Sequence, residues 1–402
     1  MSAQQIKVKD AELKIIKNIS ENVIENSSLD FLVPSSGKII THLDRSDYSE
    51  ELKINADNNT WHYWNGLLNL SMLKMEEVTG EERYRTYVSD HIEFAFENVD
   101  VFREQYKDQN KWAYPFGQLI VMEDFDDCGA MGASVLEIYR EDPKEEYREY
   151  IERVGEFMLG FPNRMDDGTY VRNRPKVTTV WGDDLYMSVV FLSRMGELSG
   201  DSRYYDEAIL QVENYTKHLW DENASIFYHC YYPELGKNGV AHWLRGNGWM
   251  MMAQTELLKY LPENHPKRDQ LLSMLYNQII GVSRYQSSRG LWYQVLDYND
   301  SYLESSGSAM LIYSIATAVN EGWIDESYAG IALKGWIGLC EKINADGSVE
   351  DICVGTNVRD YISYYTRRMT LTNDIHGLGA IILAGAEIVK MMETCDVYKF
   401  KQ

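Results

Sequence analysis

Cysteine, proline and positive charge are all in short supply in this chain of 402 residues. Its five cysteines, Cys128, Cys230, Cys340, Cys353 and Cys395, are scattered, odd in number and never spaced as CxxC. That pattern argues against a disulfide framework and a zinc site, and leaves buried thiols as the reading. With only 8 prolines and no Gly/Ser/Pro-rich stretch, nothing marks a linker, and a single domain over residues 1–402 is expected. Lys and Arg number 39 against 62 Asp and Glu, for a net charge of −23. Phosphate binding needs a basic face, so neither nucleic acid nor an anionic membrane surface is an expected partner. A few arginines in one cleft can still reverse the field locally for a small anionic ligand. No uninterrupted apolar run reaches the length of roughly 18 residues that a membrane span requires. No charged-then-apolar signal opens the chain, although Ser2-Ala3-Gln4-Gln5 resembles the small-residue end of a cleaved one. The compartment therefore stays open between cytoplasm and periplasm.

Aromatics, by contrast, are abundant: 29 Tyr and 10 Trp. Such an excess suits a site that stacks on sugar-like rings. A unit of about 60 residues also recurs, the kind of period that marks a repeat architecture. Thr79-Gly80-Glu81-Glu82-Arg83-Tyr84 is echoed by Ser199-Gly200-Asp201-Ser202-Arg203-Tyr204, and more weakly near Tyr147, His265 and Tyr328. A second series precedes six apolar segments: Trp61-His62-Tyr63-Trp64, Phe125-Asp126-Asp127-Cys128, Trp181-Gly182-Asp183-Asp184, Trp243-Leu244-Arg245-Gly246-Asn247-Gly248-Trp249, Glu304-Ser305-Ser306-Gly307 and Asp374-Ile375-His376-Gly377. Segments such as Leu185 to Leu198 are apolar nearly all round and read as buried helices. Those between, such as Tyr204 to Leu219, are charged on one side and read as outer helices. Six of each make an all-α fold, an (α/α)6 barrel of six inner and six outer helices, with short hairpins expected near 225–232 and 290–295.

In such a barrel the six inner helices start at one mouth. There the carboxylates Asp126, Asp127, Asp183 and Asp184 would meet Arg245, the imidazoles His62, His229 and His376, and the indoles Trp61, Trp64, Trp181, Trp243 and Trp249. Carboxylates move protons, indoles stack on sugars, and a guanidinium holds a carboxylate in a fork. An Asp at a helix start is ordinarily a cap, but a cap uses one carboxylate, so each Asp-Asp pair leaves one over. A helix dipole lowers an Asp pKa, so a proton donor here needs burial or a like charge to raise it. The helix carrying Arg245 is expected to begin after Gly248. No His pair or His/Cys cluster indicates a metal, and no P-loop, dinucleotide fingerprint or GxSxG elbow appears. Neither metal nor cofactor is expected.

The motifs Trp181-Gly182-Asp183-Asp184-Leu185-Tyr186-Met187, Phe227-Tyr228-His229, the Trp243 to Trp249 run and Asp126-Asp127-Cys128-Gly129-Ala130-Met131 resemble the unsaturated glycuronyl hydrolases. These comprise the unsaturated rhamnogalacturonyl hydrolases of glycoside hydrolase family 105 and the related family 88. The resemblance implies a metal-independent (α/α)6 barrel that removes a 4,5-unsaturated uronate from the non-reducing end of lyase-generated oligosaccharides. It implies vinyl-ether hydration, with Asp183 as the proton-transferring residue and Asp127 as the second carboxylate. His229, Trp243, Arg245 and Trp249 match substrate-contacting positions, with Arg245 as a clamp on the substrate carboxylate. Trp61, Trp181, Asp126, Asp184 and His376 complete the expected binding surface. Such a protein would be a monomer or small homo-oligomer. An inverting glycosidase for saturated chains, a sugar epimerase and a non-catalytic saccharide-binding module are the competing readings.

Overall fold

In a computed structural model, the described residues are 3–43, 49, 51–56, 58–106, 115–174 and 178–395, with side chains described from residue 9 onward. Twelve long helices build the ring: α1 (Ala3–Glu25), α2 (Tyr63–Thr79), α3 (Arg83–Glu97), α4 (Phe125–Tyr139), α5 (Glu145–Leu159), α6 (Asp183–Ser199), α7 (Ser202–Leu219), α8 (Leu244–Tyr260), α9 (Arg268–Ser283), α10 (Ser305–Asn320), α11 (Ala329–Cys340) and α12 (Ile375–Thr394). Each even-numbered helix packs on the next, and α12 closes on α2. The odd-numbered helices lie outside, each against one inner helix, with α1 covering α12. The chain is an (α/α)6 barrel. Of the Ser2 to Gln5 stretch, Ser2 lies outside the described residues, and α1 begins at Ala3.

The repeat anchors have a structural reason. The polar turns at Thr79-Gly80 and Ser199-Gly200 end α2 and α6. Tyr84, Tyr147 and Tyr204 then fall near the starts of three outer helices with their side chains buried. The inner helices are buried on nearly every face, as their all-round apolarity requires. Close approach depends on small residues. A Cβ on Gly129 of α4 would lie 1.7 Å from the Met187 carbonyl oxygen of α6.

One expectation needs correction. The Arg245 helix begins at Leu244, not after Gly248. Gly246 and Gly248 lie inside it because a larger residue at 248 would meet Met310 of α10 at 2.7 Å, so packing outweighs the helix-breaking tendency of glycine. Helix α12 is long and apolar enough to cross a membrane by length and composition, with mean hydropathy 1.5, yet 83% of that stretch is buried inside the ring. It is a barrel stave. The short strands are accessory. Ile226–Phe227 and Cys230–Tyr232 form where a hairpin is expected, whereas 290–295 contributes isolated bridges. Val180–Trp181, Cys230–Tyr232 and Lys237–Asn238 make one antiparallel sheet that delivers Trp181 and His229 to the helix-start end.

Candidate active site

A cavity of about 320 Å³ opens where the inner helices begin, within the size range of small-ligand clefts. Tyr63, Asp126, Arg172, Trp181 and Asp183 line it together with residues from Gly355 to Arg368. A larger cavity of about 560 Å³ lies at the opposite end, where the helices finish. Its buried charges are closed on one another, Lys74 with Glu387 and Arg194 with Glu137 and Glu256, so it lacks free chemistry.

The four aspartates all reach the mouth end, and none caps its own helix. Asp183 is the first residue of α6, and its Oδ2 accepts from His229 Nε2 at 3.1 Å. The other ring nitrogen of His229, Nδ1, lies 3.0 Å from the Tyr365 hydroxyl. Burial pushes the Asp183 carboxyl up, but the His229 hydrogen bond and charge, with Arg172 and Arg245 beyond, pull it below the usual range. Asp127 Oδ1 instead takes the first backbone N–H of α2, Tyr63 N, at 2.9 Å and contacts His62 Nδ1 at 3.1 Å. It caps the neighbouring helix.

Asp126 and Asp184 share one partner that sequence reasoning missed. Arg172 Nε reaches Asp184 at 2.8 and 3.0 Å, and Nη1 reaches Asp126 at 2.9 Å, while Nη2 bonds both. Its guanidinium also lies 4.3 Å from the centre of the Trp181 ring. Paired backbone bonds between Arg172 and Thr179, 2.8 Å each way, hold the loop that presents it. One cation cannot neutralise two buried carboxylates. Burial, opposed by Arg172 and reinforced by Asp184 and Asp127, raises the Asp126 carboxyl to about 7, and burial raises Asp184 as well. The like-charge elevation expected of a proton donor thus falls on the spare pair, not on Asp183. The sequence signal was available: two Asp-Asp pairs in a closed barrel call for a cation, and Arg172-Asn173-Arg174 is the basic run just upstream.

Several expected binding residues are core. Trp61 is fully buried among Phe96, Phe116 and Tyr150, with its indole N–H on the Tyr150 hydroxyl. Trp249 is buried against Tyr63 and Tyr186, and Trp243 against His229. Only Trp181 among these four indoles lines the cavity. His376 sits at the start of α12 bonded to Asp374, beside Tyr63 and Trp64. Arg245 is 1% exposed. Its Nη1 donates to Ser306 and the Cys353 carbonyl, and its Nη2 to the Val354 carbonyl at 2.9 Å. Those donors anchor the 353–354 turn. Among the described residues, no group of three His, Cys, Asp or Glu is placed to hold a metal.

Residues 34–392 match the family model described as Glycosyl Hydrolase Family 88. The chain is 25% identical over 236 residues to the unsaturated rhamnogalacturonyl hydrolase YesR of Bacillus subtilis, a match covering 57% of this chain and 67% of that protein. It is 24% identical over 215 residues to an unsaturated 3S-rhamnoglycuronyl hydrolase of an Alteromonas species, covering 52% of this chain and 51% of that protein. These matches thus span between half and two thirds of the relatives' lengths. A solved structure of a possible GH105 member from Salmonella enterica serovar Paratyphi A superposes with TM-score 0.76 at 22% identity, covering 95% of this chain and 94% of that one.

Proposed function

We propose, from the premise that this chain belongs to Glycosyl Hydrolase Family 88, that it removes a 4,5-unsaturated uronic acid from the non-reducing end of oligosaccharides by hydrating the vinyl ether. One observation carries the choice of chemistry. Of the four mouth carboxylates, Asp126 and Asp184 are forked onto Arg172 and Asp127 caps α2, which leaves Asp183 to exchange protons with a ligand. An inverting hydrolysis needs a second, unencumbered carboxylate across the ring to activate water. Hydration of a vinyl ether needs only one. Asp183 gives its proton to C4, water adds at C5, and the same carboxylate takes the proton that water loses. The resulting hemiketal opens and releases the next sugar.

The low pKa of Asp183 in the empty site fits this cycle. An incoming substrate carboxylate brings like charge and displaces water, and both raise the Asp183 carboxyl, so the donor is protonated as substrate binds. The test is the loss of enol-ether ultraviolet absorbance from a lyase digest. Asp183→Asn should lower its rate by about 10²–10⁴-fold, the usual worth of a general acid–base group, with the fold retained. Cleavage of saturated oligosaccharides at a comparable rate would overturn the reading in favour of direct hydrolysis.

A further inference from the structure

Arg245 commits three donors to Ser306 and the 353–354 carbonyls, and the cavity contains further arginines suited to a substrate's carboxylate. The cavity that Asp183 lines also contains two arginines from the 355–368 segment, Arg359 and Arg368. Among the described residues neither forms an ion pair. Both guanidiniums pack on one ring, 5.4 and 5.1 Å from the centre of Tyr364. That ring is fixed in turn by Asn357 N–H donating to its hydroxyl at 3.0 Å. Arg368 gives Nη2 to the Gly355 carbonyl, while its Nε is buried with no hydrogen-bond partner. Arg359 gives Nη1 to its neighbour's carbonyl at 2.8 Å. Each keeps donors for a ligand.

The pair is also indexed to the proton-transferring carboxylate. Arg359 N–H donates to the Tyr365 hydroxyl at 3.2 Å, that hydroxyl is hydrogen-bonded to His229 Nδ1, and His229 Nε2 is hydrogen-bonded to Asp183. Arg245 fixes the other end of the segment through Cys353 and Val354. We infer that Arg359 and Arg368 are the specificity-determining pair that binds the substrate's carboxylate, and that Arg245 is a positioning residue for the segment that carries them. This rests on the reading that the substrate is an unsaturated uronate. A carboxylate matches the planar fork of a guanidinium, and a cation without a counter-ion in a cleft selects an anion over its neutral analogue.

The experiment compares an unsaturated disaccharide as the free acid with its methyl ester. For the intact enzyme, KM for the ester should exceed that for the acid at least tenfold. Arg359→Gln and Arg368→Gln should each raise KM for the acid about tenfold while kcat stays within about threefold, and KM for the ester should not move. The double variant should then show little preference between acid and ester. Arg368→Lys, which keeps the charge but loses the fork, serves as the folding control and should recover part of the preference. An unchanged acid-to-ester ratio in the double variant overturns the inference. Failure of the intact enzyme to turn over any unsaturated sugar would instead sink the substrate reading. Thermal stabilisation by galacturonate but not galactose, lost in the double variant, would still support the anion site, and its persistence there would refute it.

Discussion

Replacing Arg172 with methionine keeps most of the volume of the side chain and removes the guanidinium that bridges Asp126 and Asp184. The stability loss follows from what each carboxylate can do next. A buried acid that loses its partner escapes by keeping a proton, which costs about 1.4 kcal/mol for each pH unit above its ordinary pKa of 3.8. Asp126, already raised to about 7, is mostly protonated at pH 5.5 with or without Arg172, and adds at most about 1.4 kcal/mol at pH 8. Asp184 sets the rest, bounded at about 2.3 kcal/mol at pH 5.5 and about 5.7 at pH 8. Breaking a buried pair ordinarily costs about 3–5 kcal/mol, so that full loss is reachable at pH 8 and out of reach at pH 5.5. With an unfolding entropy near 2.1 cal/mol/K per residue, 402 residues give about 0.8 kcal/mol/K. The expected fall in Tm is therefore about 4–6 °C at pH 8 and below about 3 °C at pH 5.5. The sign is fixed: for acids with raised folded pKa the penalty grows as pH rises from the unfolded to the folded value. Calorimetric scans of variant and parent at both pH values read it directly. A deficit that is equal at the two pH values, or larger at the lower one, would refute the shared-cation account.

Two further outcomes follow from the same geometry. His229→Asn removes the hydrogen bond and charge that hold the Asp183 carboxyl down, so its pKa rises and the decline of kcat/KM with pH moves to higher pH; a decline that stays in place would dissociate His229 from the proton donor. Gly129→Ala sets a methyl group against the Met187 carbonyl, which two packed inner helices accommodate only by moving apart. Destabilisation of about 3 kcal/mol or more is expected, measured as lost soluble yield and lowered Tm.

What the sequence made legible is what a closed ring imposes on every repeat. An inner helix has no polar face to offer, so α6 and α10 read as buried from composition alone. Tyr84, Tyr147 and Tyr204 stood out because each outer helix needs one large ring wedged inward at its start. Even the pairing of Asp183 with the mouth followed from counting helix starts. What the ring does not impose was harder to read. Arg172 belongs to a loop, and its partners lie 46 residues behind it and 12 ahead. Trp61 and Trp249 share the sequence context of a sugar platform, yet at the neck of a closed barrel an indole at a helix start also serves as a plug. The helix start at Leu244 was hidden by Gly246 and Gly248, which mark contact with a neighbouring helix where they would ordinarily mark an end.

The division of labour among four similar residues is what makes hydration workable here. Each Asp sits in the first turn of an inner helix, where the dipole alone would hold all four ionised and useless as donors. A barrel that left them equal would repel any uronate that approached. Forking Asp126 and Asp184 onto Arg172 and tying Asp127 to the start of α2 confines most of that negative charge within the protein wall. Asp183 then faces a cleft that also contains Arg359 and Arg368, inside a chain whose net charge is −23. The local field is thus the reverse of the global one, and it is strongest with the cleft empty. A substrate carboxylate cancels that field on arrival, and the same cancellation lets Asp183 take up a proton. On the proposed hydration, binding and protonation are in this way one electrostatic event, by which a single aspartate in an otherwise pKa-lowering position would serve as the acid.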